Sequence, residues 1–420
     1  MIDHATSVGH LPLAGLTVLD LGQIYQGPYA TFLMAKAGAD VLKIEPLQGE
    51  SARARAAVDQ GAMYPFELIN ANKRSLALNL KSDKGKAIFL DLVRGADVVL
   101  ENFAPGVMDR LGLGWSVLRE INPRLVYATG TGFGISGPDR DRLALDLNIQ
   151  AVSGMMSGTG FPEGPPVKTG AAVADFAGGA HLYAGVMTAL LERASTGRGR
   201  LVEVAMQEAV FPSFVSGLGL VFGDPEGLKP VRTGNRHSGL AQAPYNVYRA
   251  KDGHVSLLVI SDAHWNSLLT VIERPDLIDD PRYAANSERV ARMAEIDALI
   301  EDWTATQTVA VINAKALEHR VPCSPIRELR EALNDAHMHE RGMLEWSDHP
   351  RLGRAVLLNS PLRFHGPEGL DAVRAIPSPE LGEHTVEILR QHLNLDEAEI
   401  QALAAEQVVG LWRKAAVLAA

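Results

Sequence analysis

One carboxylate, Asp175, lies in 171-AAVADFAGGAHLYAGVMTALLER-193 between an apolar run and the pair Gly178-Gly179, at the head of a long apolar, helix-like segment. Two roles suit it. An acid ahead of an apolar helix is an N-cap, its oxygens accepting hydrogen bonds from the first helix N–H groups. The same N–H groups and the positive end of the helix dipole keep a carboxylate ionised, and an ionised, desolvated carboxylate is a nucleophile. Glycine at 178 and 179 lets a ligand or another backbone come close. Pattern alone leaves both roles open.

The other groups that could do chemistry are scattered. Lys73 and Arg74 stand in 70-NANKRSLALNL-80, just ahead of an expected strand, and Arg110 follows the Asn102-Phe103 loop in 101-ENFAPGVMDRLG-112. Surface solvation is the default for a basic residue, yet two arginines near a ligand-facing edge suit a phosphate or carboxylate. His337 and His339 of HMHE are two apart, so on a helix they face different ways and make a poor metal pair. Cys323, in 321-VPCSP-325, has no local activating partner and reads as small core filler. Gly130, Gly132 and Gly134 have the wrong spacing for a dinucleotide fingerprint, and no phosphate-binding P-loop, HExxH or GxSxG motif is present.

Alternation of strand and helix patterns must position these groups. Residues 16–21, 41–45, 98–102 and 125–130 read as buried strands; 29–39 and 83–94 read as helices, the second capped by Ser82 and stopped at Gly95. That succession implies a parallel sheet covered on both faces, whose ligands bind beyond the carboxyl ends of the strands. The loops there, 22-GQIYQGP-28, 45-EPLQGE-50, 101-ENFAPG-106 and 129-TGTGFGISGP-138, each hold glycine and proline. The texture changes near 223, where a polar, turn-rich stretch leads to a hairpin around Lys251-Asp252-Gly253 and helices near 263–272 and 294–304. The expected division is therefore 1–222 with 331–420 as a large domain and 223–330 as a small α+β domain. Val356–Leu358 and 384–393 return to the large one as a strand and a helix.

Composition sets outer limits. The 420 residues carry 40 basic and 50 acidic side chains, a net charge of −10 with no basic block, which argues against a nucleic-acid or anionic-membrane binder. The single cysteine rules out an intramolecular disulfide or a multi-cysteine metal site and fits a reducing cytoplasm. MIDHATSVGHLPLAG has no leader pattern. The apolar run 209–222, broken by Pro212, is too short to span a bilayer and reads as a buried segment or domain edge.

The long ordered stretches LAGLTVLDLGQIYQGPYATFLMAKAGADVLKIE, NANKRSLALNLKSDKGK, ADVVLENFAPGVMDRLGLGWSVLREINPRLVYATGTGFG and GPPVKTGAAVADFAGG resemble the family III CoA-transferases nearly end to end. The resemblance implies an α/β fold with a Rossmann-like large domain and a smaller α+β domain, in an interlocked, ring-like homodimer. It also implies coenzyme A thioesters as substrates, no tightly bound cofactor, and Asp175 as a nucleophile forming an aspartyl anhydride and then an aspartyl-CoA thioester. Developing oxyanions and the acyl portion fall near Gln23, Tyr25 and Gly178. CoA runs past Ile24, Asn102 and Phe103, is gripped by Arg110, and has Lys73 and Arg74 near its nucleotide end.

Departures from the family bear on the substrate. The oxalate-using formyl-CoA transferases have His and Gln where this chain has Gln23 and Tyr25, and they carry a run of consecutive glycines where this chain has only 233-TGNRHSGLAQAP-244. An acid larger than oxalate, with a polar group, suits Tyr25. The α-methylacyl-CoA racemases share the string ADFAGG but use the aspartate as an acid/base, with a partner histidine at the position of Leu145. A two-base proton exchange lacks half its apparatus here. A non-catalytic acyl-CoA binding protein is the third alternative.

Overall fold

The computed structural model describes residues 11–53, 64–350, 352–367, 369–371 and 373–412; the first ten residues of the segment read for a leader lie outside the described residues. The chain forms two compact units, one of Met1–Ile149, Ala172–Val210 and Leu333–Ala420, the other of Gln150–Ala171 and Phe211–Ala332.

In the first unit the order is β1 (Thr17–Asp20), α1 (Gln26–Lys36), β2 (Asp40–Glu45), α2 (Tyr64–Asn70), β3 (Arg74–Leu78), α3 (Asp83–Gly95) and β4 (Val98–Glu101). Then come α4 (Val107–Leu111), α5 (Trp115–Ile121), β5 (Val126–Thr131), α6 (Asp146–Val152), α7 (Met155–Gly158), α8 (Val173–Thr196), β6 (Leu201–Ala205) and α9 (Met206–Val210). The sheet order is β3-β2-β1-β4-β5-β6, all parallel, with the short strand Val409–Gly410 antiparallel beyond β3. This is the doubly wound order in which the chain reverses direction across the sheet between β1 and β4.

Successive residues of a strand point to opposite faces, and both faces here are apolar. Val18, Val41, Val98 and Val126 stand in register on one face and pack on Met34 of α1 and Leu182 and Val186 of α8. Leu19, Leu42, Val99 and Tyr127 occupy the other, against Phe89 and Val93 of α3 and Ile388 and Leu389 of the helix Thr385–Leu393. Ser82 caps α3, its hydroxyl accepting from Gly85 N.

The second unit centres on the antiparallel strands Tyr245–Ala250, Gly253–Leu258 and Cys323–Pro325. Trp265, Leu268, Ile296, Ile300 and Ile312 pack on them from the flanking helices. Its boundaries differ from the textural ones, because residues 150–171 and 211–222 fall in this unit. Of the two readings of the apolar run 209–222, the domain edge holds, since the division between the units falls at Val210 and Phe211. It is not a buried segment, because it forms a turn and the helix Val215–Gly223, with Val215 72% and Phe222 82% exposed. A polar stretch marks a loop, whereas a domain boundary falls where packing stops, and the two need not coincide.

Candidate active site

The loop after β1 is held from beneath by a buried ionic cluster. Asp20, at the end of β1, accepts hydrogen bonds from Gly22 N (2.8 Å), Thr31 Oγ1 (2.8 Å) and Lys73 Nζ (2.9 Å). Burial alone would raise the Asp20 carboxyl, but Lys73 and then Lys43 outweigh it and hold it below its ordinary value. Lys73 Nζ also donates to the Pro28 carbonyl (3.0 Å) and Asn70 Oδ1 (2.9 Å), so its charge is spent inside the protein. Its side chain is fully buried. The expectation that Lys73 touches CoA is therefore corrected: it fastens the loop on which Gln23, Ile24 and Tyr25 ride.

Arg74 is corrected as well. It is the first residue of β3, at the amino edge of the sheet, opposite to the edge where ligand loops gather. Its guanidinium is forked onto Asp40 and also donates to Glu387 Oε1 (2.7 Å) and Gln391 Oε1 (2.9 Å). A residue just ahead of a parallel strand begins at the wrong edge, which the sequence reading overlooked.

At the carboxyl edge, the loops after β1 and β4 are tied together where the chain reverses. Gln23 N donates to Asn102 Oδ1 (2.7 Å), and Asn102 Nδ2 donates to Gln23 O (3.0 Å). Ile24, a β-branched residue at φ +62°, donates its N–H to Glu50 Oε2 (3.1 Å). An L-residue in this left-handed region costs about 1–2 kcal/mol, and such strain gathers at functional loops. The N–H groups of Gln23 and Ile24 are thus taken by protein acceptors. Tyr25 stacks on Phe176 at 6.1 Å, and Phe176 also meets Tyr29 at 4.7 Å. Arg110, in α4, is exposed, folds back beside Gly106 and forms no ion pair among the described residues.

Asp175 is the third residue of α8 and 7% exposed; the N-cap position is Ala172. The capping oxygen comes from elsewhere, since Asp146 Oδ1 accepts from Ala174 N (2.8 Å) and Asp175 N (3.3 Å). The N-cap role expected of Asp175 is thus filled by Asp146, and the Asp175 carboxylate occupies the positive end of the helix without serving as its cap. Gly178 is the sixth residue of α8, past the four whose N–H groups lack an intrahelical acceptor, so it is not an oxyanion donor. What Gly178 and Gly179 supply is room. A Cβ on Gly178 would lie 2.8 Å from Gln26 Nε2, and one on Gly179 would lie 2.6 Å from the Gln26 carbonyl, so the pair brings α1 onto α8.

Asp175 lines a cavity of about 270 Å³ with Ile24, Gln26, Asn102, Phe103, Arg140 and Arg142. Among the described residues the ionisable groups lining it are Asp175 and the two arginines, with no histidine; Leu145 lines it and is 60% exposed. A second cavity of about 290 Å³ adjoins it, sharing Gln23 and Phe103, and is walled by Leu21, Ile44, Leu47, Leu78 and Leu80 at the ends of β1, β2 and β3. Gln26, Arg140, Arg142 and Asp146 were missed in the sequence. The run 138-PDRDR-142 beyond β5 alternates two aspartates with two arginines that pair with them, so it shows no net charge in sequence, and Gln26 and Asp146 carry no signal either.

The remaining candidates lie apart from this cavity. His339 stacks on Trp346, and its Nε2 is 3.0 Å from Leu333 O. No group of three metal-binding side chains occurs among the described residues. Cys323 is half-buried, and burial pushes its thiol up to about 11. No helix among the described residues is long and apolar enough to cross a membrane.

A doubly wound sheet with an acid at a helix start beside the point of chain reversal is the frame of a nucleotide- or thioester-handling enzyme. Comparison with known proteins makes this specific. The model of CoA-transferase family III matches residues 13–385, and the chain belongs to that family; it is an enzyme that transfers CoA. It is 38% identical over 412 residues to the formyl-CoA:oxalate CoA-transferase of Streptomyces avermitilis, covering 94% of this chain and 99% of that protein. It is 36% identical over 358 residues to the acetyl-CoA:oxalate CoA-transferase of Acetobacter aceti, covering 84% and 90%. Among solved structures, a CAIB/BAIF family protein from Brucella suis superposes with a TM-score of 0.78 at 31% identity, over 91% of this chain and 99% of that one. The D175A mutant of Rv3272 from Mycobacterium tuberculosis matches with a TM-score of 0.78 at 30% identity, over 90% and 98%.

Proposed function

We propose that the protein moves CoA from an acyl-CoA to a free carboxylic acid by double displacement at Asp175. The observation that carries this reading is that, among the described residues, Asp175 is the sole carboxylate lining the cavity and is desolvated at the capped start of α8. At 7% exposure Asp175 is shielded from water, as a nucleophile whose anhydride must not hydrolyse requires.

The steps balance without proton transfer. An Asp175 oxygen adds to the donor thioester carbonyl, the C–S bond breaks, and CoA leaves as thiolate, giving a mixed anhydride. The thiolate adds to the Asp175 carbonyl and expels the donor acid as carboxylate, leaving an aspartyl-CoA thioester. The acceptor carboxylate then adds to that carbonyl and releases thiolate, which attacks the acceptor acyl carbon and restores the Asp175 carboxylate.

The apolar second cavity suits the adenine of CoA, with Lys81 of its lining, and exposed Arg110 next in sequence to the lining residue Leu111, as candidates for its phosphates. Phe103, shared by the two cavities, marks the path from nucleotide to thioester. Arg140 and Arg142 line the cavity and are paired with Asp141 (3.3 Å) and Asp139 (3.2 Å), so an incoming carboxylate or phosphate would have to compete with those aspartates for them. Formyl-CoA, acetyl-CoA and oxalate, named for the relatives, begin the substrate panel. Gln23 and Tyr25 favour an acid larger than oxalate. A homodimer is supported by the exposed apolar side chains of Val215, Phe222 and Leu228, which a partner would cover. The lone free Cys323 supports a cytoplasmic setting.

Racemisation needs a second proton-transfer group opposite Asp175, and the cavity lining offers arginines only. Asp175→Asn should abolish transfer while free CoA still binds with affinity within about threefold. Transfer retained by that variant refutes the nucleophile.

A further inference from the structure

Gln26, the first residue of α1, is 1% exposed, and its Nε2 has no hydrogen-bond acceptor among the described residues. Burying an amide donor unpaired costs about 1–3 kcal/mol, and natural proteins keep few such groups. The surroundings are shaped to hold it. Its carboxamide is clasped between Gly130 and Gly178: a Cβ on Gly130 would lie 2.7 Å from Gln26 Cδ, and one on Gly178 2.8 Å from Nε2. Gly178 lies three residues after Asp175 on α8, so the two positions neighbour each other on one helix face, about 5–6 Å apart. Gln26, Gly130 and Asp175 line the same cavity.

Three neighbouring backbone donors are already occupied. Gln23 N and Ile24 N are bonded to Asn102 and Glu50, and the Gly178 N–H lies within the helix ladder. We infer that Gln26 is a further catalytic residue, whose carboxamide N–H donates to the oxygen that turns negative when a nucleophile adds to the activated Asp175 carbonyl. In the resting enzyme the donor waits unpaired; once Asp175 is acylated, the oxyanion formed by thiolate or acceptor carboxylate is its acceptor. A fixed donor that is paired only as charge develops lowers the barrier and not the ground state. This inference rests on the covalent reading of Asp175.

The test is single-turnover formation of the Asp175-linked CoA adduct, followed by rapid quench and intact-protein mass spectrometry with formyl-CoA, acetyl-CoA and succinyl-CoA. Gln26→Met keeps the volume and removes the donor. It should slow adduct formation by about 10²–10³-fold, with free-CoA affinity and melting temperature close to wild type. Gln26→Glu regains a donor only when protonated, so its rate relative to wild type should climb about tenfold or more from pH 8 to pH 5. A Gln26→Met enzyme as fast as wild type overturns the inference while leaving the Asp175 reading intact. A slow Gln26→Met with a flat Gln26→Glu ratio assigns Gln26 to packing and also overturns it. If Gln26→Met does not fold, the Gln26→Glu ratio alone decides, in the same two directions. No adduct in the wild type with any of the three donors defeats both readings.

Discussion

Lys73→Met is the sharpest test of how the loop after β1 is built. The substitution keeps the aliphatic bulk and removes a charge whose Nζ lies 2.9 Å from Asp20 Oδ2, with both side chains fully buried. At that distance, with an effective dielectric of about 20, the attraction is roughly 6 kcal/mol before desolvation is subtracted. Removing one member of a buried pair leaves the other charge uncompensated and costs about 3–5 kcal/mol. Lys43, whose Nζ donates to Gly22 O at 2.9 Å, remains nearby and moves the expectation to the lower end. A loss of about 3 kcal/mol lowers a urea midpoint by about 1 M if the m-value is near 3 kcal/mol/M. Asp20→Asn combined with Lys73→Met should recover part of the loss, since no buried charge is then stranded. The pH dependence has a definite sign. The folded Asp20 carboxyl is held below its ordinary 3.8, so its contribution is full above that value and disappears as pH falls through the lower, folded one. Urea unfolding by circular dichroism and calorimetric titration with free CoA give the two readouts. Unchanged stability with specifically weakened CoA binding would refute the structural assignment and return Lys73 to the nucleotide.

Two further outcomes follow from the same geometry. Asp146→Ala strips the acceptor from Ala174 N and Asp175 N and should cost about 0.5–2 kcal/mol in urea unfolding, while Asp146→Asn, which retains an acceptor, should recover most of it. The Cys323 thiol, pushed up to about 11 by burial, should react with iodoacetamide at pH 8 about 200-fold more slowly than a free cysteine, with CoA transfer unaffected by the eventual modification.

Much of the frame was legible because it rests on local signals. The valines and leucines of β1, β2, β4 and β5 form short continuous apolar runs bounded by turn residues, as strands buried on both faces do. Ser82 opens α3 by cap chemistry that depends on neighbours in sequence, whereas Gly95 is the last helical residue and the closing cap is Ala96, in extended backbone. Failures occurred where a residue's meaning is set across the sheet. Arg74 and Lys73 are adjacent in sequence, yet one is committed to Asp40 and Glu387 and the other to Asp20, partners that no local pattern names. The cap of α8 is a similar case, coming from Asp146 on a preceding helix, 28 residues before the N–H it satisfies. Gln26 is invisible in sequence because its significance is an unpaired atom between two glycines that belong to β5 and α8.

The central claim is a covalent bond to Asp175. Intact-protein mass spectrometry of wild-type enzyme mixed with the acyl-CoA panel, with borohydride reduction and peptide mapping, tests it most directly. The expected result is a CoA adduct or a reduced aspartate mapped to Asp175, lost in Asp175→Asn. Absence of any adduct, together with solvent deuterium entering the acyl α-carbon, would contradict it and identify Asp175 as an acid/base instead.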